Sequence, residues 1–396
     1  MSSVKGLEEM ISGYNNTLSN TLDIHAPEVD RTVILRPHAP WKGHRKDRCS
    51  TVAILPDRKP SSLQTQAAYR PFHSVETALL KVQNDILTAL DKRKEALLVL
   101  LDFSAAFDTL DHRQLLDHFE ERYGLRGNVL NWFSSDLADR TQSVAINEMQ
   151  SDPMCFVWSS SGIRCRPFGV YYVQRAITGL DHAHGVQSVV YADDTQLYLT
   201  FQPQDRDMAV RKLEACISDI RSWCKVNKLV LNDSKTELVH LYSKFKNTSW
   251  TPSMTIGDFT IRPSPQARNL GVSMDSVLSM SSHVDNLCKS ALLGIRKIGR
   301  IRQYLTRKST TKLVHAFVTS KLDTCNSLLY GLPDREIAKV QKVQNVAARL
   351  VLRISRHEHV TPALEELHWL PIKQRVAYKI MLVTYNSSWH VTSFYI

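Results

Sequence analysis

Asp193 and Asp194 stand side by side in the run Val189-Val190-Tyr191-Ala192-Asp193-Asp194-Thr195-Gln196-Leu197-Tyr198-Leu199. Apolar, β-branched and aromatic residues flank the acids on both sides, which predicts a β-hairpin with the acids at its tip. Adjacent carboxylates in a tight turn repel each other unless a cation neutralises them. Oxygen-only ligands suit Mg²⁺ or Mn²⁺ rather than zinc. The plainer alternative is a solvated turn, because Asp is a common turn residue. A third carboxylate bears on the choice. The run Ala96-Leu97-Leu98-Val99-Leu100-Leu101 reads as a buried central strand, and it ends in Asp102. A strand-end acid beside a hairpin Asp pair makes a cluster that can hold two metal ions for in-line phosphoryl or nucleotidyl transfer. One ion would acidify an attacking 3′-hydroxyl, and the other would hold a triphosphate and its leaving pyrophosphate. Asp102 would also suit the N-cap of a helix starting near Ser104 to Phe107, and both roles can hold at once.

The elements that must position these acids follow from periodicity. Ala78, Leu79, Val82, Ile86, Leu87 and Leu90 recur at helical spacing, so a helix is expected from Thr77. Helices are also expected over 112–123 and 129–137, the second with Trp132 and Phe133 on its apolar face. Residues 140–146 alternate like a strand. Residues 205–226 form an amphipathic helix, 229–242 and 253–272 read as strands and turns, and from Val284 onward the pattern is helical almost throughout. The fold class is α+β. Pro and charge dominate from Arg36 to Pro60, which argues for an irregular N-terminal segment.

The chain has 396 residues, enough for two or three domains, and a net charge of +11. That charge predicts a polyanionic partner. The basic residues concentrate. Between Asn286 and Leu322 lie Lys289, Arg296, Lys297, Arg300, Arg302, Arg307, Lys308, Lys312 and Lys321, with no acid among them. Leu292, Leu293, Ile295, Ile298, Ile301 and Leu305 thread through them at helical spacing. One face should therefore pack on protein and the other meet phosphates, with sequence-tolerant and salt-sensitive binding. Solvated helix surface is the plainer reading. Seven Cys are scattered without CxxC spacing, so neither a zinc site nor a disulfide framework is indicated, and a reducing intracellular compartment, nucleus or cytoplasm, is expected. No run is long enough to span a bilayer and no signal peptide is evident.

The order of these segments resembles the reverse transcriptase of a non-LTR (LINE-type; jockey, CR1 or L2-like) retrotransposon over roughly residues 65 to 385. Ala68-Tyr69-Arg70-Pro71-Phe72-His73-Ser74-Val75-Glu76-Thr77-Ala78-Leu79-Leu80 resembles the fingers-to-palm segment. Leu101-Asp102-Phe103-Ser104-Ala105-Ala106-Phe107-Asp108-Thr109-Leu110-Asp111-His112 resembles polymerase motif A, and Tyr191 to Tyr198 motif C. Leu229-Val230-Leu231-Asn232-Asp233-Ser234-Lys235-Thr236-Glu237 resembles motif D, and Asn269-Leu270-Gly271-Val272 the strand segment before the thumb. His315-Ala316-Phe317, then Leu322-Asp323-Thr324-Cys325-Asn326-Ser327-Leu328-Leu329, and His368-Trp369-Leu370-Pro371 match the post-palm region.

The resemblance implies a right-hand polymerase palm, an antiparallel sheet packed on helices with incomplete fingers, then an all-helical thumb and C-terminal extension. Its divisions are an irregular linker-like arm at 1–62, fingers remnant and palm at 63–245, palm-to-thumb strands at 246–280, thumb at 281–332 and a truncated extension at 333–396. It implies an RNA template, a DNA primer and dNTP as partners, with no membrane, and two Mg²⁺ (or Mn²⁺) on Asp102, Asp193 and Asp194. The backbone carbonyl of Phe103 becomes a further ligand. Phe107 falls where the family places a steric gate against a ribose 2′-hydroxyl, although a buried core Phe is the plainer reading. Tyr191 would pack under the primer terminus; otherwise it is an ordinary strand aromatic. Lys235 would protonate or neutralise the leaving pyrophosphate, or is an exposed turn Lys. Arg70 would contact the triphosphate or a template phosphate, or is a surface Arg. Two departures imply a second reading. The stretch Ser161-Gly162-Ile163-Arg164-Cys165-Arg166-Pro167-Phe168-Gly169-Val170 lacks the Pro-Gln-Gly-Ser core of motif B, and the fingers are short. That alternative is a catalytically inactive, degenerate copy retaining at most non-specific nucleic-acid binding.

Overall fold

The computed structural model describes residues 67–68, 73–104, 112–137, 141–142, 145–146, 149–150, 154–155, 177, 179–227, 229–246, 249–257 and 259–389. The arm at 1–62, Arg70, Phe107 and the 161–170 stretch lie outside them. The described residues all belong to one unit, Lys59–Ile396.

The apolar run that ends in Asp102 is β1 (Glu95–Leu101), and α1 (Val75–Asp91) precedes it. Ser74 caps α1, accepting from Thr77 N–H while the Thr77 hydroxyl oxygen accepts from Ser74 N–H. After β1 come β2 (Phe103–Ser104), α2 (His112–Tyr123) and α3 (Asn128–Leu137). Phe119 and Phe133 join α2 and α3 edge to face, with ring centroids 4.9 Å apart. The strand expected at 140–146 is divided. Its halves are β3 (Thr141–Gln142) and β4 (Ala145–Ile146). β3 pairs with β6 (Met154–Cys155), whereas β4 closes locally on β5 (Met149–Gln150).

The main sheet is antiparallel. Its other strands are β7 (Gln187–Tyr191), β8 (Asp194–Phe201) and, beyond the long helix α4 (Arg206–Val226) and β9 (Val230–Leu231), β10 (Glu237–Leu241). The strand order is β10-β1-β8-β7, which puts β1 inside. Side chains alternate along it. Leu97, Val99 and Leu101 face a core built with Leu213, Ile217 and Ile220 of α4. Ala96 and Leu98 face the opposite core with Leu79, Val82 and Ile86 of α1. A strand buried on both faces must be apolar throughout, which is why β1 reads as an unbroken run.

At its first residue β1 carries a wholly buried acid, Glu95. Arg206 donates to it through Nε at 2.9 Å and Nη2 at 2.7 Å. Lys246 Nζ lies at 3.0 Å and His240 Nε2 at 3.2 Å. Burial alone would raise the Glu95 carboxyl; hydrogen bonds from Arg206, Lys246 and His240 overcome it and hold the pKa at about 2.

Two hairpins follow, β11 (Met254–Ile256) with β12 (Phe259–Ile261) and β13 (Gln266–Asn269) with β14 (Val272–Asp275). The Asp275 carboxylate then accepts from the N–H groups of Val277, Ser279 and Met280 and introduces α5 (Ser281–Ile301). The remainder is helical: α6 (Arg307–Val314), a π turn at His315–Thr319, α7 (Ser320–Asp323), α8 (Asp334–Leu352), α9 (Thr361–Glu366) and α10 (Ile372–Trp389). Val284, Ala291, Ile295 and Ile298 of α5 pack against Val340, Val343, Ala347 and Val351 of α8, as ridges at helical spacing should. The polymerase-like palm followed by helices agrees with the expected fold class. Among the described residues no helix is long and apolar enough to cross a membrane.

Candidate active site

β7 and β8 form the expected hairpin, but the two acids differ in position. Tyr191 and Asp194 make the last pair, so Asp194 begins β8 while Ala192 and Asp193 form the two-residue turn. Ala192 sits at φ 56°, in the left-handed region that glycine favours. An alanine there costs about 1–2 kcal/mol, and the hairpin's own pairing holds it in place. Strain of this kind concentrates at functional positions.

Asp102 arrives from the neighbouring strand. Leu101 pairs with Thr195, so one further step along the antiparallel register sets Asp102 opposite Asp194. Residues 105–111, where a helix after Asp102 is expected to start, lie outside the described residues. Phe103 and Ser104 continue as β2, paired with Leu231 and Val230 of β9, and Phe103 is buried beside Leu101 and Leu231. The Asp102 carbonyl oxygen accepts from Asn232 N–H at 2.8 Å, which ties motif A to the segment that carries Lys235.

That segment is built as a support. The Asn232 carbonyl accepts from Lys235 N–H, Thr236 N–H and Thr236 Oγ1, each at 3.1 Å. Ser234 Oγ donates to Asn232 Oδ1 at 2.7 Å. Arg221 of α4 grips Asp233 at 2.8 Å. Gly257, at φ 59° between β11 and β12, leaves room for the Arg221 guanidinium, which any Cβ there would overlap. The turn at Asp233–Lys235 thus presents Lys235, whose Nζ lies 3.4 Å from Asp102 Oδ2. With Lys235 68% and Asp102 39% exposed, this pair contributes little to stability, about 0–1 kcal/mol.

Burial, then the charges of Asp193 and Asp102, raise the Asp194 carboxyl above its ordinary range. Three hard oxygen donors under mutual repulsion are the chemistry a divalent cation suits. The side chains are not converged into a ligand shell: among the described residues no group of three His, Cys, Asp or Glu is arranged to hold an ion. Lys235 is the cation that the fold itself sets beside Asp102. Tyr191 is half-buried and packs with the α1-side core.

The basic residues separate by task. Lys289, Arg296, Lys297 and Arg300 are exposed on α5, and Lys308 and Lys312 on α6. Arg307 pairs with Glu366, and Lys321 Nζ donates to Ser290 Oγ at 2.7 Å. The Arg302 guanidinium donates to the carbonyls of Leu350 (2.8 Å), Leu305 (2.9 Å) and Val351 (2.7 Å), closing the C-terminal end of α8. Sequence reading missed Arg221 as the anchor of the Lys235 turn. The turn glycine at 257 was the available signal, and it does not name its neighbour.

A family model described as reverse transcriptase (RNA-dependent DNA polymerase) matches residues 51–274, more than half of the chain. Comparison with curated proteins gave no match. Similar solved structures include a telomerase from Candida albicans in complex with a TWJ fragment of telomeric RNA, at 12% identity over 81% of this chain and 57% of that one, TM-score 0.40. Apo telomerase from Candida tropicalis shares 13% identity over 88% and 60%, TM-score 0.39. The Candida tropicalis enzyme with the TWJ fragment shares 12% over 82% and 56%, TM-score 0.39. The chain thus spans between 56% and 60% of the length of these structures.

Proposed function

The chain belongs to the reverse transcriptase family, and from that membership we propose that it is the RNA-directed DNA polymerase domain of a non-LTR retrotransposon. The observation that supports the reading is the register that sets Asp102 opposite Asp194 of the Asp193–Asp194 hairpin, with Lys235 beside Asp102, at one end of the sheet. Asp102, Asp193 and Asp194 would hold divalent ions, which when bound supply charge neutralisation at the triphosphate and acidify the primer 3′-hydroxyl. The chain's own groups do the rest. Lys235, exposed and tethered through Asn232 and Arg221, stands ready to give a proton or positive charge to a leaving pyrophosphate. The exposed bases of α5 and α6 hold phosphate backbone without reading sequence. Phe107 as a gate against ribose and Arg70 as a phosphate contact remain part of the proposal on resemblance alone. The partners are an RNA template, a DNA primer and dNTP, within the cell.

The altered stretch at 161–170 favours one second reading, an inactive copy that only binds nucleic acid. Primer extension on a homopolymer RNA template with Mg²⁺, run beside filter binding, separates the two. The polymerase reading expects extension that Asp193→Asn abolishes and Lys235→Ala lowers about 10²-fold. Template binding without extension by the unaltered chain overturns it in favour of the inactive copy.

A further inference from the structure

In the strand β8 that begins with Asp194, Gln196 lies two residues further on and therefore on the same face. Gln196 is buried, and a buried amide needs a partner. Its Oε1 accepts from Asn269 Nδ2 at 2.8 Å, and Asn269 is buried as well. Asn269 is the last residue of β13. It pairs with Val272 across a two-residue turn, Leu270 at φ 46° and Gly271 at φ 88°, the left-handed geometry that tight hairpins favour.

The hairpin touches the sheet at a second point. Arg268 N–H donates to Glu237 Oε2 at 3.4 Å. Glu237 and Gln196 are both paired with Leu100, one on each side. Successive residues of β13 therefore meet the two residues that flank Leu100 in a single cross-strand row, one row short of the Leu101–Thr195 pair. Leu270 and Tyr191 pack against the same core cluster. An apolar side chain at 196 would bury more cheaply than this amide, so the polar pair specifies register rather than adding bulk.

We propose that Asn269 is a positioning residue. Through Gln196 it fixes the strand bearing Asp194 against the 266–275 hairpin, and so sets where the Asp194 carboxylate stands. The effect on rate rests on the polymerase reading; the linkage itself does not.

Three variants test it: Asn269→Ala, Gln196→Leu, and the exchanged pair Asn269→Gln with Gln196→Asn. Each is followed by primer extension and by backbone hydrogen exchange over residues 194–201. The single variants should lower kcat about 10-fold, leave KM for template-primer within about twofold, and speed exchange at 194–197. The exchanged pair should recover activity, and combining Asn269→Ala with Gln196→Leu should cost no more than either alone. Unchanged exchange at 194–197, additive losses, a rise in KM alone, or faster exchange with undiminished kcat would each overturn the proposal. If the unaltered chain extends no primer, the polymerase reading fails separately. The exchange measurement then decides the linkage, and unchanged rates overturn it.

Discussion

Replacing Glu95 with glutamine should destabilise the protein and flatten its acid sensitivity. The carboxyl is wholly buried and receives Arg206, Lys246 and His240. A group held at about 2 instead of 4.5 corresponds to about 3 kcal/mol of folding stability at neutral pH. Removing one member of a buried ion pair costs about 3–5 kcal/mol by mutational precedent, so the two routes agree. The share carried by Lys246, which is 40% exposed, is the part that solvent weakens. About 3 kcal/mol should lower Tm by about 5–10 °C for a domain of palm size. Because the folded pKa lies below the unfolded one, this stability is present above pH 4.5 and is lost as pH falls toward 2. His240 acts in the same direction. Burial lowers its pKa more than the bond to Glu95 raises it, so below its ordinary 6.5 the unfolded chain takes up a proton that the folded one resists. Thermal unfolding of both proteins from pH 7 to pH 4 is the assay. The gap should be widest at pH 7 and narrow by about 1 kcal/mol at pH 4. A gap near zero at pH 7, or one that does not narrow with acid, would refute the argument that Glu95 is held ionised by these three partners.

Two further outcomes follow from the helical region. Arg302→Ala strands two carbonyls at the end of α8 and that of Leu305 just before α6, so urea denaturation should show a loss of about 1–3 kcal/mol. Nucleic-acid affinity should keep its salt dependence, and a changed salt slope with unchanged stability would return Arg302 to the phosphate contacts. Lys297→Ala and Arg300→Ala, both on the exposed face of α5, should each reduce the slope of log K against log salt by about 0.9 on a duplex and leave Tm unaltered. An unchanged slope would remove that face from the binding surface.

How much of this was legible in the chain depends on whether the cause is local. β1 is legible because burial on both faces demands an unbroken apolar run, and the hairpin because its strands alternate around two acids. Helix 112–123 has the expected bounds. The Glu95 network is not legible. A glutamate opening an apolar strand looks like the strand's solvent end, and Arg206 and Lys246 lie 111 and 151 residues away. Arg302 shows the same limit. A one-sign run gives its charge, but only the meeting of α5 with α8 shows that its guanidinium is spent on carbonyls. The Lys235 turn falls between these cases: its residues are local, and the Arg221 that steadies Asp233 comes from another helix.

The two ends of β1 make the strongest argument about the site. Glu95 opens the strand and Asp102 directly follows its last residue, and the fold treats the two carboxylates oppositely. Around Glu95 it gathers two guanidinium or ammonium cations and an imidazole, enough to hold a buried acid ionised at about 2. Around Asp102 it gathers two more carboxylates and, among the described residues, the mostly exposed Lys235, and the Asp194 carboxyl is raised. A fold that can neutralise a buried acid with its own side chains does so where the role is structural. At the other end the strained Ala192 turn and the Asn232 support bring like charges together at a cost, and among the described residues Lys235 is the cation paired with them. Divalent cations would supply the balance there, which is the environment that the proposed reading of this end of the sheet requires.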